Sequence, residues 1–170
     1  MMHGRQLDMI AAYFAPNRGV LRRITALAKR GAARLIMAAK SDNGATIGAA
    51  RHTYSRLLRS PVEIYEYQPT KLHSKLIVID DIVHIGSANL DMRSLYLNLE
   101  VMLRIEDAAV ARMMRRFIDG EAAASTKVSR TAHRQRLTWY NRLIWGLCYF
   151  VVATTDYSVS RRLNFGVRGR

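Results

Sequence analysis

Cysteine is almost missing from this sequence. Cys148 is the only one in 170 residues, which excludes an internal disulfide and the cysteine-rich zinc patterns. It stands in an apolar stretch, where a buried, inert thiol is expected. Acidic residues are scarce as well: 13 Asp and Glu face 27 Lys and Arg, for a net charge of +14. Such a surface suits polyanions, either nucleic acid or an anionic membrane leaflet, and charge alone does not choose between them. Long apolar runs are wanting too. A membrane-spanning helix needs roughly 20 apolar residues, and Leu143 to Ala153 falls well short of that. The opening Met1-Met2-His3-Gly4-Arg5 lacks the long apolar core of a signal peptide.

What is present is enough for one folded domain with a sizeable core. Hydrophobic residues make up 49% of the chain, too many for a disordered protein. Leu7 to Ala15 reads as a strand closed by Pro16-Asn17-Arg18-Gly19. Val20 to Arg30 places Val20, Leu21, Ile24, Leu27 and Ala28 on one helical face, with Gly31 as its stop. Ala33 to Ala38 is the next strand, Ala45 to Leu58 a helix ended before Pro61, and Val62 to Tyr67 an alternating strand. Strand, helix, strand, helix, strand is the layout of an α/β layered domain.

The chain is organised around Leu72-His73-Ser74-Lys75-Leu76-Ile77-Val78-Ile79-Asp80 and the Gly86-Ser87-Ala88-Asn89 that follows. Leu76 to Ile79 form an unbroken, mostly β-branched apolar run, expected to be a strand covered on both faces. His73 and Lys75 are two apart, so an extended chain projects them from one face. Ile82 to Ile85 returns as a second strand. Gly86 would let the backbone approach a ligand closely, with Ser87 and Asn89 offering hydrogen bonds. An imidazole, a fixed cation and neutral donors are a kit for attacking a phosphodiester. Beyond them, Leu97 to Ile105 alternates, so that Asn98 and Glu100 share a face and Glu100 can reach the site. A helix from Asp107 carries Val110, Met113, Met114, Phe117 and Ile118 at core spacing and ends at Gly120.

His73, Lys75, Asp80, Gly86, Ser87, Asn89, Asn98 and Glu100 together resemble the HKD motif of the phospholipase D superfamily. Tyr65-Glu66-Tyr67-Gln68-Pro69 before it and Leu90-Asp91-Met92-Arg93-Ser94 after it make the chain similar to the C-terminal catalytic half of a bacterial cardiolipin synthase. One departure is small: five residues separate Asp80 from Gly86, where six is the commoner spacing. The resemblance implies a central mixed sheet flanked by helices and a phosphatidyl transfer that needs no metal or other cofactor. One superfamily histidine attacks phosphorus to form a phosphohistidine while its partner protonates the leaving alkoxide; His73 fits either role. Lys75, Ser87 and Asn89 would hold the phosphate oxygens, and Glu100 would orient an imidazole. Asp80 would support the site electrostatically or simply end its strand. His84 lies near Asp80 and Asp81, but a metal site built on it is the weaker reading, because Val83 and Ile85 would turn it away. His3, His52 and His133 show no partner in the sequence.

From Glu121 onward the composition shifts: nine Lys and Arg stand against two acidic residues. Residues 1–120 read as a catalytic lobe and 121–170 as a basic aromatic tail. Trp139 to Val152 carries two Trp and two Tyr, flanked by Arg134, Arg136, Arg142, Arg161 and Arg162, a pattern that fits an interfacial helix. Trp139, Arg142 and Trp145 are candidates for lipid contact. Arg93 would bind a lipid phosphate or cap a short helix. The resemblance implies an anionic phospholipid substrate and a peripheral place on the cytoplasmic side of the bacterial membrane. It also implies a second HKD lobe, since only one His-x-Lys is present. That lobe would be a twin subunit about a two-fold axis or a separate N-terminal half. A single-motif dimeric nuclease and an inactive membrane-binding fragment are the competing readings.

Overall fold

Three parallel strands form the centre of the molecule, their apolar residues buried against helices on either side. The computed structural model describes residues 4–155. His3, Arg161 and Arg162 lie outside them, as does the tail beyond residue 155. Strands β1 (Gln6–Ala11), β3 (Ala32–Ala38) and β4 (Val62–Tyr67) run parallel, and β5 (Lys75–Ile79), β6 (Ile82–Gly86) and β8 (Met102–Glu106) extend the sheet antiparallel from β1. A seventh strand, β9 (Ser125–Lys127), pairs antiparallel with β4, giving the order β8-β6-β5-β1-β3-β4-β9. The expected strand Leu7–Ala15 is two pieces: after β1 the chain turns, and β2 (Phe14–Ala15) pairs with β7 (Leu90–Asp91) in a separate two-stranded ribbon.

Helices cover both faces of the sheet. α1 (Arg18–Arg30) and α2 (Gly44–Leu57) lie on the face to which Leu7, Met9 and Leu35 point; Leu21, Ile24, Leu27, Tyr54 and Leu57 fill that core. Asn17 and Asn43 cap these helices through their side-chain oxygens, which accept from the otherwise unpaired Val20 and Ala45 amides. α4 (Ala108–Ala123) lies on the other face, where Ala111 and Ile118 meet Ile10, Ile36, Leu76 and Val78. Ile24 and Leu27 are fully buried, so truncating either to alanine costs about 2–5 kcal/mol.

Two buried carboxylates tie the layers together. Asp8 in β1 accepts from Arg34 Nε of β3 at 2.8 Å and Arg115 Nε of α4 at 3.0 Å. Glu66 in β4 takes Arg51 of α2 in a forked pair at 2.8 and 3.1 Å.

As far as residue 155, the tail is not a unit apart. β9 belongs to the main sheet, and α6 (Trp139–Phe150) packs on α2 as an outer layer, preceded by α5 (Arg130–Arg136). The contact is close because Gly48 has no side chain: a Cβ there would stand 2.8 Å from Cys148 Sγ. His133 is buried, bonded to Ser55 at 2.9 Å and stacked on Trp145, and His52 stacks on Tyr149. The division at residue 120 therefore separates a composition change, not two packing units.

Candidate active site

β5 runs opposite to β1, so its first residue, Lys75, pairs with Ala11, the last residue of β1. Gly86 ends β6 and Met102 starts β8 at this same edge. The motif residues thus gather beyond the carboxyl ends of the parallel strands, where open α/β sheets bind ligands.

His73, Lys75 and Ser87 line one cavity of about 790 Å³. His73 is exposed, and its carbonyl accepts from Lys75 Nζ at 2.8 Å, which fixes the lysine head beside it. Burial pushes the Lys75 ammonium below the ordinary lysine range, and the charge of Glu100 opposes that shift. Ser87 donates to Glu100 Oε2 at 2.5 Å, and Asn98 Nδ2 donates to Glu100 Oε1 at 3.1 Å. The Ser87 bond is the first cause that holds the Glu100 carboxyl below its usual value; Asn98, Ser94 and Lys75 add to it. The other wall of this cavity is apolar, formed by Met113, Met114 and Phe117 of α4 with Leu76 and Ile85. Met113 and Phe117 are about half exposed. They follow core spacing, yet they form the cavity wall.

Asn89, Asn98 and Arg93 line a second cavity of about 670 Å³ together with Tyr13, Asn43 and Thr46. Glu100 stands between the two groups, bonded to Ser87 of one and Asn98 of the other. Asn89 Oδ1 is buried without a hydrogen-bond partner among the described residues. Arg93 in α3 (Met92–Tyr96) donates to Asn98 at 3.2 Å, while Asp91 caps that helix. Arg93 is thus a rim residue and not a cap. Tyr13, Asn43 and Thr46 carried no sequence motif; their signal was position, just past the ends of β1 and β3.

Four expectations change. Asp80 lies at the far end of β5, about 16 Å of extended chain from Lys75, with φ 48°. Its carboxylate accepts from the amides of Arg5 and Gln6 at 3.0 and 2.9 Å, so it fastens the start of β1 instead of joining the site. Gly86 is needed for a close approach of the chain to itself: a Cβ there would lie 2.0 Å from the Val101 carbonyl. Trp145 is buried under His133 and offers nothing to lipid, whereas Trp139 is exposed. Leu97 to Val101 is not strand, and Leu99, Val101 and Leu103 face outward from the β8 edge. His84 sits in β6 opposite Ile77 and Arg104, and burial pushes its imidazole below the ordinary histidine range. Among the described residues no three His, Cys, Asp or Glu side chains converge on a metal-sized point.

The fold is a mixed sheet layered by helices, with one His-x-Lys cavity at the end of its strands. The chain belongs to the cardiolipin synthase, PLD-like domain family, which it matches over residues 3–120. It is 32% identical to cardiolipin synthase A of Pectobacterium carotovorum over 148 residues, 86% of this chain and 30% of that protein. The chain thus spans under a third of that curated relative. Among solved structures it superposes on Nuc, a phospholipase D family member from Salmonella typhimurium, with TM-score 0.65 at 16% identity, covering 75% of this chain and 85% of that one. Phosphatidylserine synthase from Haemophilus influenzae gives TM-score 0.60 at 14% identity, covering 94% of this chain and 41% of that one.

Proposed function

We propose that the chain supplies one half of a phosphatidyltransferase site acting on anionic phospholipid. One imidazole of a pair, with His73 as this chain's member, attacks the phosphorus of a phosphatidyl donor. The bond to the departing headgroup oxygen breaks, the second imidazole protonates that oxygen, and a phosphohistidine forms. A hydroxyl of an acceptor phospholipid then attacks, the second imidazole takes back its proton, and the P–N bond breaks. Lys75 and Ser87, with Asn89 from the neighbouring cavity, stabilise the phosphoryl oxygens, and Glu100 positions the donors through Ser87 and Asn98.

The observation that carries this reading is the apolar wall of Met113, Met114 and Phe117 facing His73 and Lys75 across one cavity. Acyl chains of a diester lipid bury against the whole of such a wall, whereas a nucleic acid strand would use only the Phe117 ring, by stacking a base on it. The second HKD lobe would cover the exposed apolar side chains Tyr96, Leu99, Val101 and Leu103 beside the site. It is a twin subunit or a separate half, and the assembly sits peripherally on the cytoplasmic leaflet. Among the described residues no helix is long and apolar enough to cross a membrane. The test is to quench the protein acting on phosphorus-labelled phosphatidylglycerol and look for label on His73 or its counterpart. Label on an imidazole, lost in His73→Ala, supports the reading, and its absence during active turnover contradicts it.

A nuclease built from twin single-motif subunits is the second reading. The charge of +14 and the 85% coverage of Nuc favour it. Cleavage of DNA in preference to phospholipid would establish it.

A further inference from the structure

α6 has two faces of opposite character, and a basic cleft opens beside it. Trp139, Tyr140, Leu143, Leu147, Phe150 and Val151 form an outward stripe, each between 43% and 79% exposed. The spacing of three to four residues keeps the stripe on one side of the helix. The opposite face, through Trp145, Cys148 and Tyr149, packs inward against α2 and α5. Where α6 meets α1 and α2, a cavity of about 320 Å³ is lined by Arg18, Arg56, Arg59 and Arg142 around His52 and Tyr149. No acidic side chain lines it, and none of the four arginines has an ion-pair partner among the described residues. Arg59 Nε is turned to the Ser55 carbonyl at 3.0 Å and the Tyr149 hydroxyl to the Pro16 carbonyl at 2.7 Å, so both side chains are held in place. Four guanidinium groups converging on one small cleft repel one another until an anion enters.

We propose that this cleft is a second anion site, separate from the His73 cavity, that takes the headgroup phosphate of an anionic phospholipid within a bilayer while the outward stripe of α6 enters the interface. Guanidinium groups suit phosphate because their planar donors pair with its oxygens. An apolar stripe beside a basic cleft is the composition of a helix that lies in a charged lipid surface. The geometry also gives the docking a direction. The stripe ends at Val151, which with Val152 lines the cavity of Asn89, Asn98 and Arg93. A chain lying on α6 therefore turns the mouth of that cavity toward the lipid. This orientation rests on the lipid reading of the active site; the anion site itself does not.

The test is flotation of the full chain with vesicles of phosphatidylcholine alone or with added phosphatidylglycerol, comparing wild type with the Arg56→Gln/Arg59→Gln/Arg142→Gln variant. Each basic residue near an anionic surface contributes about a factor of five, so the triple change is expected to weaken binding to the mixed vesicles roughly a hundredfold. Binding to phosphatidylcholine alone should be weak in both. Free inorganic phosphate should compete only at concentrations far above those of vesicle lipid. Equal binding by variant and wild type overturns the proposal. So does displacement by phosphate at lipid-like concentrations, or loss of duplex DNA binding with vesicle binding retained. The melting temperature monitors folding of the variant. Should it fall, the wild type alone decides: brominated acyl chains should quench Trp139 in phosphatidylglycerol vesicles, and no quenching overturns the docking. No turnover enters any readout, so an inactive His73 site leaves the result intact.

Discussion

Ser87 donates its hydroxyl to Glu100 across 2.5 Å, and Glu100 receives Asn98 on its other oxygen at 3.1 Å. Residues from the end of β6 and from the segment before β8 are thereby locked around one carboxylate, between the His73 cavity and the Asn89 cavity. Ser87→Ala removes the main cause of the lowered Glu100 value. Its titration, followed by carboxylate NMR, should move up toward 4.5, the ordinary value. A group with a depressed folded pKa adds stability above its unfolded value and loses it as pH falls through the folded one. The variant should therefore be less stable at neutral pH and lose less stability than the wild type as pH falls below about 4.5. A Glu100 titration that stays where it was contradicts the assignment.

Catalysis should feel the same contact. Glu100→Gln keeps the shape but removes the charge and one acceptor, and turnover is expected to fall about 10²–10³-fold, as for loss of one preorganised stabilising group. His73→Ala should remove it entirely. Steady-state kinetics on a soluble diester checks both.

Lys75 should react with an amine-selective acylating reagent at lower pH than a free lysine, whose ordinary value is 10.5, because burial disfavours its charged form. Glu100→Gln removes the one opposing influence and should lower the reaction midpoint further. Peptide mass mapping across a pH series measures it. A midpoint that stays where it was would show that Glu100 does not reach the ammonium.

Acid should loosen the C-terminal layer. Burial lowers the imidazole values of His52 and His133, which stack on α6, from 6.5. The unfolded chain thus binds protons that the folded one refuses. Stability is full above about pH 6.5, falls as pH drops from there to the folded values, and is flat below them. Trp145 emission and the melting midpoint should both report the loss between neutral pH and pH 5. His133→Gln can keep the bond to Ser55 without titrating and should flatten part of the slope.

Glu66→Ala leaves Arg51 uncompensated at the edge of the core. With Arg51 about one-quarter exposed, the cost is expected near the lower end of the range for a broken buried pair, about 3 kcal/mol. Urea unfolding measures it.

The parallel core and most of the site were legible because spacing carried them. The alternation from Val62 to Tyr67 and the unbroken Leu76 to Ile79 follow from strand periodicity, and Ser87, Asn89, Asn98 and Glu100 from one motif, although the segment that carries Asn98 and Glu100 is not strand. Asp80 belongs to that motif, but an extended β5 puts it at the opposite end of the strand. Only the pairing with Arg5 and Gln6 reveals its task. Met113 and Phe117 obey the same helical spacing as Ile118. A hydrophobic pattern does not say where the sheet beneath a helix stops, so cavity wall and core look alike. β9 was invisible because Ser125-Thr126-Lys127 has no apolar alternation; its place is set by the free edge of β4. Trp139 and Trp145 differ by six residues, about 120° around the helix, yet only the packing on α2 tells which one turns inward.

The central claim is tested most directly by phosphatidyl transfer on labelled phosphatidylglycerol in mixed micelles, with protein concentration varied across its self-association and His73→Ala in parallel. A diphosphatidyl product is expected, at a rate that follows the paired fraction and disappears in the mutant. A paired, folded protein that turns over no phospholipid, or a rate that survives His73→Ala, contradicts it.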